Sequence, residues 1–322
     1  MSESDSPPAT RAEGGARGGG TRPQTGMTVG GRVRLERLLG RGGMAEVWLG
    51  RHLTLGVDVA VKFLRLEDEA VLRERFAREA QLAARVDHPH AVRVFDHGMT
   101  DAGAPYIVME LVDGETLAQR IERGGPLGTD DVATLIGQLA DVLTQAHRMD
   151  ILHRDIKPHN VMLLGGEKLF AKVVDFGLAK ELLRPEDDPS LTQAGLLLGT
   201  PAYMAPEQLL EGHEASPRTE AWSLAVLCYE ALAGERPFPG RHQAPLALAM
   251  MSGRYRPITA RRPELPPTMD TFFARALSVR PEQRFESVAA LAAALDEADL
   301  EIEPGEPLMI RRQVKADGGS KA

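Results

Sequence analysis

His153-Arg154-Asp155-Ile156-Lys157-Pro158-His159-Asn160, followed fifteen residues on by Asp175-Phe176-Gly177, is the stretch that decides how this 322-residue chain is read. Asn160 and Asp175 are oxygen donors of the kind that hard divalent cations prefer. Asp155 is a carboxylate suited to orient an attacking hydroxyl and accept its proton, and Lys157 is a cation suited to neutralise charge on a transferring group. A chance polar loop would rarely gather all of these residues. Between the two blocks, VMLL (161–164) and AKVVD (171–175) flank GGEK and predict a small hairpin.

Two features nearer the N-terminus complete the set. Gly40-Arg41-Gly42-Gly43-Met44-Ala45 sits at a strand end, and its glycines permit a loop that folds over phosphates and offers them N–H donors. An ordinary glycine-rich hairpin would read the same in isolation. A dinucleotide fingerprint requires a helix after the glycines, whereas Glu46-Val47-Trp48-Leu49 reads as strand, so that reading fails. Lys62, in Val59-Ala60-Val61-Lys62, is expensive to bury on an apolar strand without an anion, and Glu79 on the next helical segment can supply one. A solvated strand-end lysine is the plainer alternative. Together these groups form a positioning and electrostatic set, which is what phosphoryl transfer chiefly requires.

Around this set the hydrophobic pattern changes character. VRLERLLG, AEVWLGRH and VDVAVKFL, within residues 32–63, predict three antiparallel strands. A charged helix is expected at about 70–86, and strands at 91–97 and 105–111. Beyond residue 115 helical periodicity dominates, with Val132, Leu135, Ile136, Leu139, Val142 and Leu143 on one stripe and further helices at 220–233, 268–277 and 285–296. A small β-rich lobe (32–110) and a larger helical lobe (115–290) then leave a cleft between them. Residues 1–28 and 301–322 offer little to bury and are expected to be flexible tails, although PLMIRR in the second could dock on the folded body.

Composition limits the functional classes. The 43% hydrophobic fraction suffices for a substantial core, and the net charge of -8 gives no general attraction to nucleic acid. The single cysteine, Cys228, cannot form an internal disulfide and reads as a buried small hydrophobe, so a reducing cytoplasm is the expected setting. AWSLAVLCYEALA (221–233) is too short to span a bilayer and contains Glu230. His147 and His153 have no third metal ligand nearby in sequence.

The ordered motifs resemble those of eukaryotic-type (Hanks-type) serine/threonine protein kinases, the bacterial branch in particular, over roughly residues 32–290. That resemblance implies an α+β bilobal protein kinase fold, with a small antiparallel β-rich N-lobe carrying one main helix and a larger, mainly α-helical C-lobe. It implies ATP and Mg2+, or Mn2+, as cofactors. Leu39, Gly40 and Gly42 match the nucleotide loop, Lys62 the phosphate-pairing lysine and Glu79 its helix partner. Val47, Ala60 and Met162 would enclose adenine, with Met109 as gatekeeper and Glu110 and Val112 as backbone contacts. Asp155 would be the base, Lys157 the contact to the transferring phosphoryl group, and Asn160 and Asp175 the metal ligands. Glu207, of the closing Ala205-Pro206-Glu207, would pair with Arg284.

Lys157 with Gly199-Thr200-Pro201-Ala202-Tyr203 favours Ser/Thr over Tyr acceptors, and Thr200 is expected to contact the catalytic loop. Arg154 would receive a phosphate from the activation segment, with Ser190 and Thr192 as candidate sites or as plain hydroxyls in a polar loop. The implied partners are protein substrates, with pairing of two copies through the small lobe known in many members. Three departures stand out: Ala45 replaces the third glycine, Glu220 stands where the family usually has Asp, and Ala225 where it usually has Gly. Glu220 is one methylene longer, so its bonds to the catalytic loop are expected to shift. A nucleotide-binding scaffold without transfer activity is the rival reading, and a small-molecule kinase is disfavoured by the complete segment that ends at Glu207.

Overall fold

The computed structural model describes residues 22–42, 45–64, 70–176, 201–209, 215–240 and 243–299, without the side chains of 70–75, 79, 243 and 299. Strand propensity and period-two burial set the first lobe. Strands β1 (Thr28–Val29), β2 (Val33–Arg41), β3 (Ala45–His52), β4 (Asp58–Leu64), β5 (Val94–Met99) and β6 (Pro105–Glu110) form one antiparallel sheet in the order β1-β2-β3-β4-β6-β5. In β3, Glu46, Trp48 and Gly50 turn inward while their neighbours are only partly covered. Central β4 is instead buried from Val59 to Leu64, because both faces of the sheet are packed at that position.

Val29, Val33, Leu35, Trp48, Val59, Val61, Phe63, Tyr106 and Val108 pack on one face of that sheet. On the other, Leu64 and Ile107 join Phe76 and Ala80 of helix α1 (Ala70–Ala84) in a core continuous with the second lobe. The chain then crosses through 111–113 to a three-stranded sheet of β7 (Gly114–Thr116), β8 (Val161–Leu164) and β9 (Phe170–Val173).

Helices build the rest. Helix α2 (Leu117–Gly124) starts with a reciprocal cap between Thr116 and Gln119. Helix α3 (Thr129–His147) buries the expected stripe, with Asp130 and Asp131 at its N-terminal turn and His147 at its C-terminal turn, as its dipole favours. Helix α4 (Pro217–Ala233) is buried nearly all round, which suits the centre of a lobe. Ser216 caps its start, and Gly234, at φ 74, ends it with a left-handed turn that a side chain would strain. Helices α5 (Gln243–Ser252), α6 (Thr268–Ala276) and α7 (Val288–Asp299) complete this bilobal α+β kinase fold. Among the described residues no helix is long and apolar enough to cross a membrane.

The folded body begins earlier in the chain than the expected tail allows, and at its other end it runs past the expected lobe boundary at 290 along the helix expected at 285–296. The tail expected through residue 28 stops short: Gly26 N–H donates to Leu35 O at 2.8 Å, Leu35 N–H to Met27 O at 2.8 Å, and β1 pairs with β2. Two paired residues carry no periodicity, so only the structure reveals them. At the other end α7 continues past residue 290 because Leu291, Leu295 and Ala298 are buried against its neighbours. Residues 1–21 and 300–322, which hold most of both expected tails, lie outside the described residues.

Candidate active site

Residues 151–157 form a loop between α3 and a short turn at Pro158–Asn160, and its backbone is unusual. Arg154 and Asp175 both have φ 63, a left-handed conformation that non-glycine residues adopt at a penalty of about 1–3 kcal/mol. Surrounding bonds hold them there. Glu220 of α4 accepts the Arg154 N–H on Oε1 at 2.6 Å, while its Oε2 lies 2.6 Å from His147 Nε2. The longer side chain therefore still reaches the loop, and His147, for which the sequence disfavours a metal-ligand role, is its second partner.

The carboxylate of Asp155 is fixed from two directions. Its Oδ2 accepts Lys157 Nζ at 2.6 Å and Asn160 Nδ2 at 2.9 Å, and Asn160 Nδ2 also donates to the Asp155 carbonyl at 2.8 Å. Val174 N–H donates to Asn160 O at 2.9 Å, which brings the residue before Asp175 against the turn that carries Asn160. Lys62, on the buried strand β4, ion-pairs with Asp175 Oδ1 at 2.8 Å. Asp175 is thus the described partner of Lys62; the side chain of Glu79, expected in that role, lies outside the described residues, although its backbone belongs to α1.

Fully buried His153 ties the loop to the Asp175 segment. Its Nε2 lies 3.0 Å from Val174 O and its Nδ1 accepts the Asp155 N–H at 3.2 Å, an arrangement that suits the neutral ring. Burial pulls its pKa below the ordinary value, outweighing the nearby charges of Glu220, Asp155 and Asp175. A depressed histidine pKa means that the unfolded chain binds this proton more readily. Its contribution to stability is therefore present above the ordinary value of about 6.5 and lost as the pH falls below it. Thermal melts at about pH 7.5 and about pH 5.5 should show a larger acid-side loss in the wild type than in His153→Asn. Parallel pH profiles would refute this role.

The glycine loop supports a ligand reading by what it does not touch. Among the described residues a Cβ on Gly40 would meet no atom within 4 Å, and its φ is not positive, so neither their packing nor the backbone there demands glycine. Close approach of an external group to the backbone does require it. Gly42 N–H donates to Ala45 O at 2.8 Å across the turn; Gly43 and Met44 lie outside the described residues. Leu39 is exposed on β2, Val47 is half-buried on β3, and Ala60 is buried on β4 in register with Met109 of β6. Met162 lies on β8, and Val112 in the connector between lobes. Glu110 commits its carboxylate to Lys172 Nζ at 2.6 and 2.7 Å, a pairing without a sequence signal because 62 residues separate the partners.

The residues present fit Mg-ATP. Asn160 uses its amide nitrogen on Asp155 and Asp175 uses Oδ1 on Lys62, and among the described residues no partner takes the Asn160 amide oxygen or Asp175 Oδ2. Those oxygens form the hard donor set that magnesium prefers. Gly177, Ser190, Thr192 and Thr200 lie outside the described residues. After them, Pro201–Tyr203 forms a turn held by Ser223 Oγ–H to Tyr203 O at 2.7 Å. Arg284 meets Glu207 with two parallel bonds of 2.7 Å.

The profile of the protein kinase domain matches residues 33–295. The chain is a protein kinase domain. Its relatives include the serine/threonine-protein kinase pkn3 of Myxococcus xanthus, 38% identical over 86% of this chain and 51% of that protein. The serine/threonine-protein kinase PknA of Mycobacterium tuberculosis is 36% identical over 85% of this chain and 62% of its own length. The chain therefore spans about half to three-fifths of these relatives. In structure it is similar to the PknI kinase domain of Mycobacterium tuberculosis, with a TM-score of 0.71 at 29% identity, covering 87% of this chain and all of that one. A Rad53 fragment solved with AMP-PNP gives 0.67 at 26%, covering 81% and 63%. These matches place the kinase domain in the Hanks-type serine/threonine family, with bacterial members prominent.

Glu220 gives a direct test of loop support in this kinase domain. Glu220→Ala strands the Arg154 N–H and is expected to lower kcat about tenfold or more, because small displacements of a reacting group are costly. Glu220→Asp should retain most of the rate. A steady-state assay in which both variants match the wild type would show that Asp155 is held without this carboxylate.

Proposed function

We propose that this kinase domain transfers the γ-phosphoryl group of ATP to serine or threonine hydroxyls of proteins, its own chain included. The observation that carries the reading is Asp155, fixed by Lys157 and Asn160 beside the Lys62–Asp175 pair. Asp155 orients the acceptor hydroxyl and takes its proton as the oxygen attacks the γ-phosphorus and the bond to the bridging oxygen breaks, releasing ADP. Lys157, already against Asp155, stabilises charge on the group in transfer. Lys62 would hold the nucleotide phosphates, and Asn160 and Asp175 would supply oxygens to magnesium, whose charge would offset that of the phosphates.

A cytoplasmic setting accords with this reading, since the one cysteine of this sequence, Cys228, can form no internal disulfide; it is a buried core group whose thiol pKa burial pushes up. Incubation with γ-labelled ATP, magnesium and a generic acceptor protein should place label on serine or threonine, read by phosphoamino-acid analysis. Nucleotide binding without label on any protein would instead establish the scaffold reading.

A further inference from the structure

Arg236, Arg254, Arg256 and Arg261 line a cavity of about 570 Å3 beyond the C-terminal end of α4, together with Glu230 and Glu235. Both acids are already engaged. Glu230 Oε2 accepts the Tyr203 hydroxyl at 2.5 Å, and Glu235 pairs with Arg261. Arg256 gives one N–H to Ala260 O at 2.9 Å, and exposed Arg254 contributes only its backbone N–H, to Ser252, among the described hydrogen bonds. Four guanidinium groups against two committed carboxylates leave the cavity positive, in a chain whose net charge is -8.

The cavity also adjoins the turn that closes the segment where the kinase reading places the protein substrate. Its Glu230 holds Tyr203, which belongs to the turn following Thr200, and α5 packs against the same turn. Helix α4 supplies a ruler. Glu220, near its start, holds the loop of Asp155, and Glu230 lies about 15 Å farther along the axis. An extended peptide advances about 3.3 Å per residue, so about four to five residues span that distance.

We propose that this arginine cavity reads carboxylate side chains of the protein substrate about four to five residues from the acceptor hydroxyl, an inference that rests on the kinase reading above. Guanidinium groups suit this task because they present forked donors to carboxylates. Arg254 and Arg256 are the specificity determinants, because both are exposed while Arg236 is only partly so and Arg261 is paired with Glu235.

One probe comes from the chain's own sequence. The peptide Arg184–Leu196 places Glu186, Asp187 and Asp188 four to six residues before Thr192. Its neutral counterpart carries E186Q, D187N and D188N. Fluorescence anisotropy on the full chain at low salt should show the acidic peptide binding the wild type roughly 10-fold more tightly than the neutral one. That ratio should fall toward one in the Arg254→Ala/Arg256→Ala double variant, and the matching ratio of kcat/KM should fall through KM. Equal binding of the two peptides by the wild type, or a preference that survives in the double variant, overturns the proposal. Binding is read without phosphoryl transfer, so an intact acidic preference with no labelled product would count against the kinase reading alone.

Discussion

Asp155→Asn is expected to lower kcat by about 10²- to 10⁴-fold, the usual contribution of a positioned general base, while nucleotide affinity changes little. The local geometry makes this substitution informative. Oδ2 of Asp155 accepts both Lys157 Nζ at 2.6 Å and Asn160 Nδ2 at 2.9 Å, so an asparagine must turn its oxygen toward those two donors. Its NH2 group then occupies the other position, where a carboxylate oxygen would accept the hydroxyl proton. Shape and packing survive, but the acceptor is replaced by a donor. Steady-state transfer to an acceptor protein, beside titration of a fluorescent ATP analogue with magnesium, separates chemistry from binding. An unchanged rate, or a lost rate explained wholly by lost nucleotide binding, would remove Asp155 from the role of base.

The site was legible in sequence where its chemistry is contiguous. Asp155, Lys157 and Asn160 follow one another within six residues, and their types already offer a carboxylate, a cation and an amide oxygen to a candidate site. The structure adds the hydrogen bonds that turn this triplet into a fixed constellation. Long-range pairings were less accessible, because residue type says that a buried lysine needs an anion without saying which one. Lys62 reaches Asp175, and Lys172 reaches Glu110, through packing of elements far apart in the chain.

Glu220 shows the same limit from the other side. One extra methylene suggested displaced bonds, and residue type alone could not name their partners, which α4 sets as Arg154 and His147, one for each carboxylate oxygen. The left-handed backbone at Arg154 and Asp175 left no trace in residue type, since neither is glycine. Among the secondary elements, long periodic ones such as α3 were visible, whereas β1 and β7 are too short to show alternation. Helix α5, QAPLALAMMS, is apolar on every side and leaves Leu248 75% exposed, so no helical stripe marked it.

Arg284→Ala is expected to destabilise the fold by about 3–5 kcal/mol, the range for breaking a buried ion pair on one side. The Arg284 side chain is 0% exposed and that of Glu207 12%, so solvent does little to screen their attraction. Beyond the double bond to Glu207, Arg284 donates Nε–H to Ser278 O at 2.7 Å and Nη2–H to Val279 O at 2.9 Å, and its guanidinium lies 4.7 Å from the Trp222 ring centre. Alanine would strand a carboxylate and two carbonyls together and open space beside Trp222. At about 2–4 °C per kcal/mol for a chain of this size class, the melting temperature should fall by roughly 10 °C. Arg284→Lys should recover only part of the loss, because one ammonium cannot reproduce two parallel bonds. Glu207 follows the Pro201–Tyr203 turn, which under the proposed function borders the acceptor, so KM for the acceptor protein should rise in Arg284→Lys at temperatures where that variant remains folded. Calorimetry giving a loss below about 1 kcal/mol for Arg284→Ala would place this bond with ordinary surface pairs and overturn its assignment as the anchor of that turn.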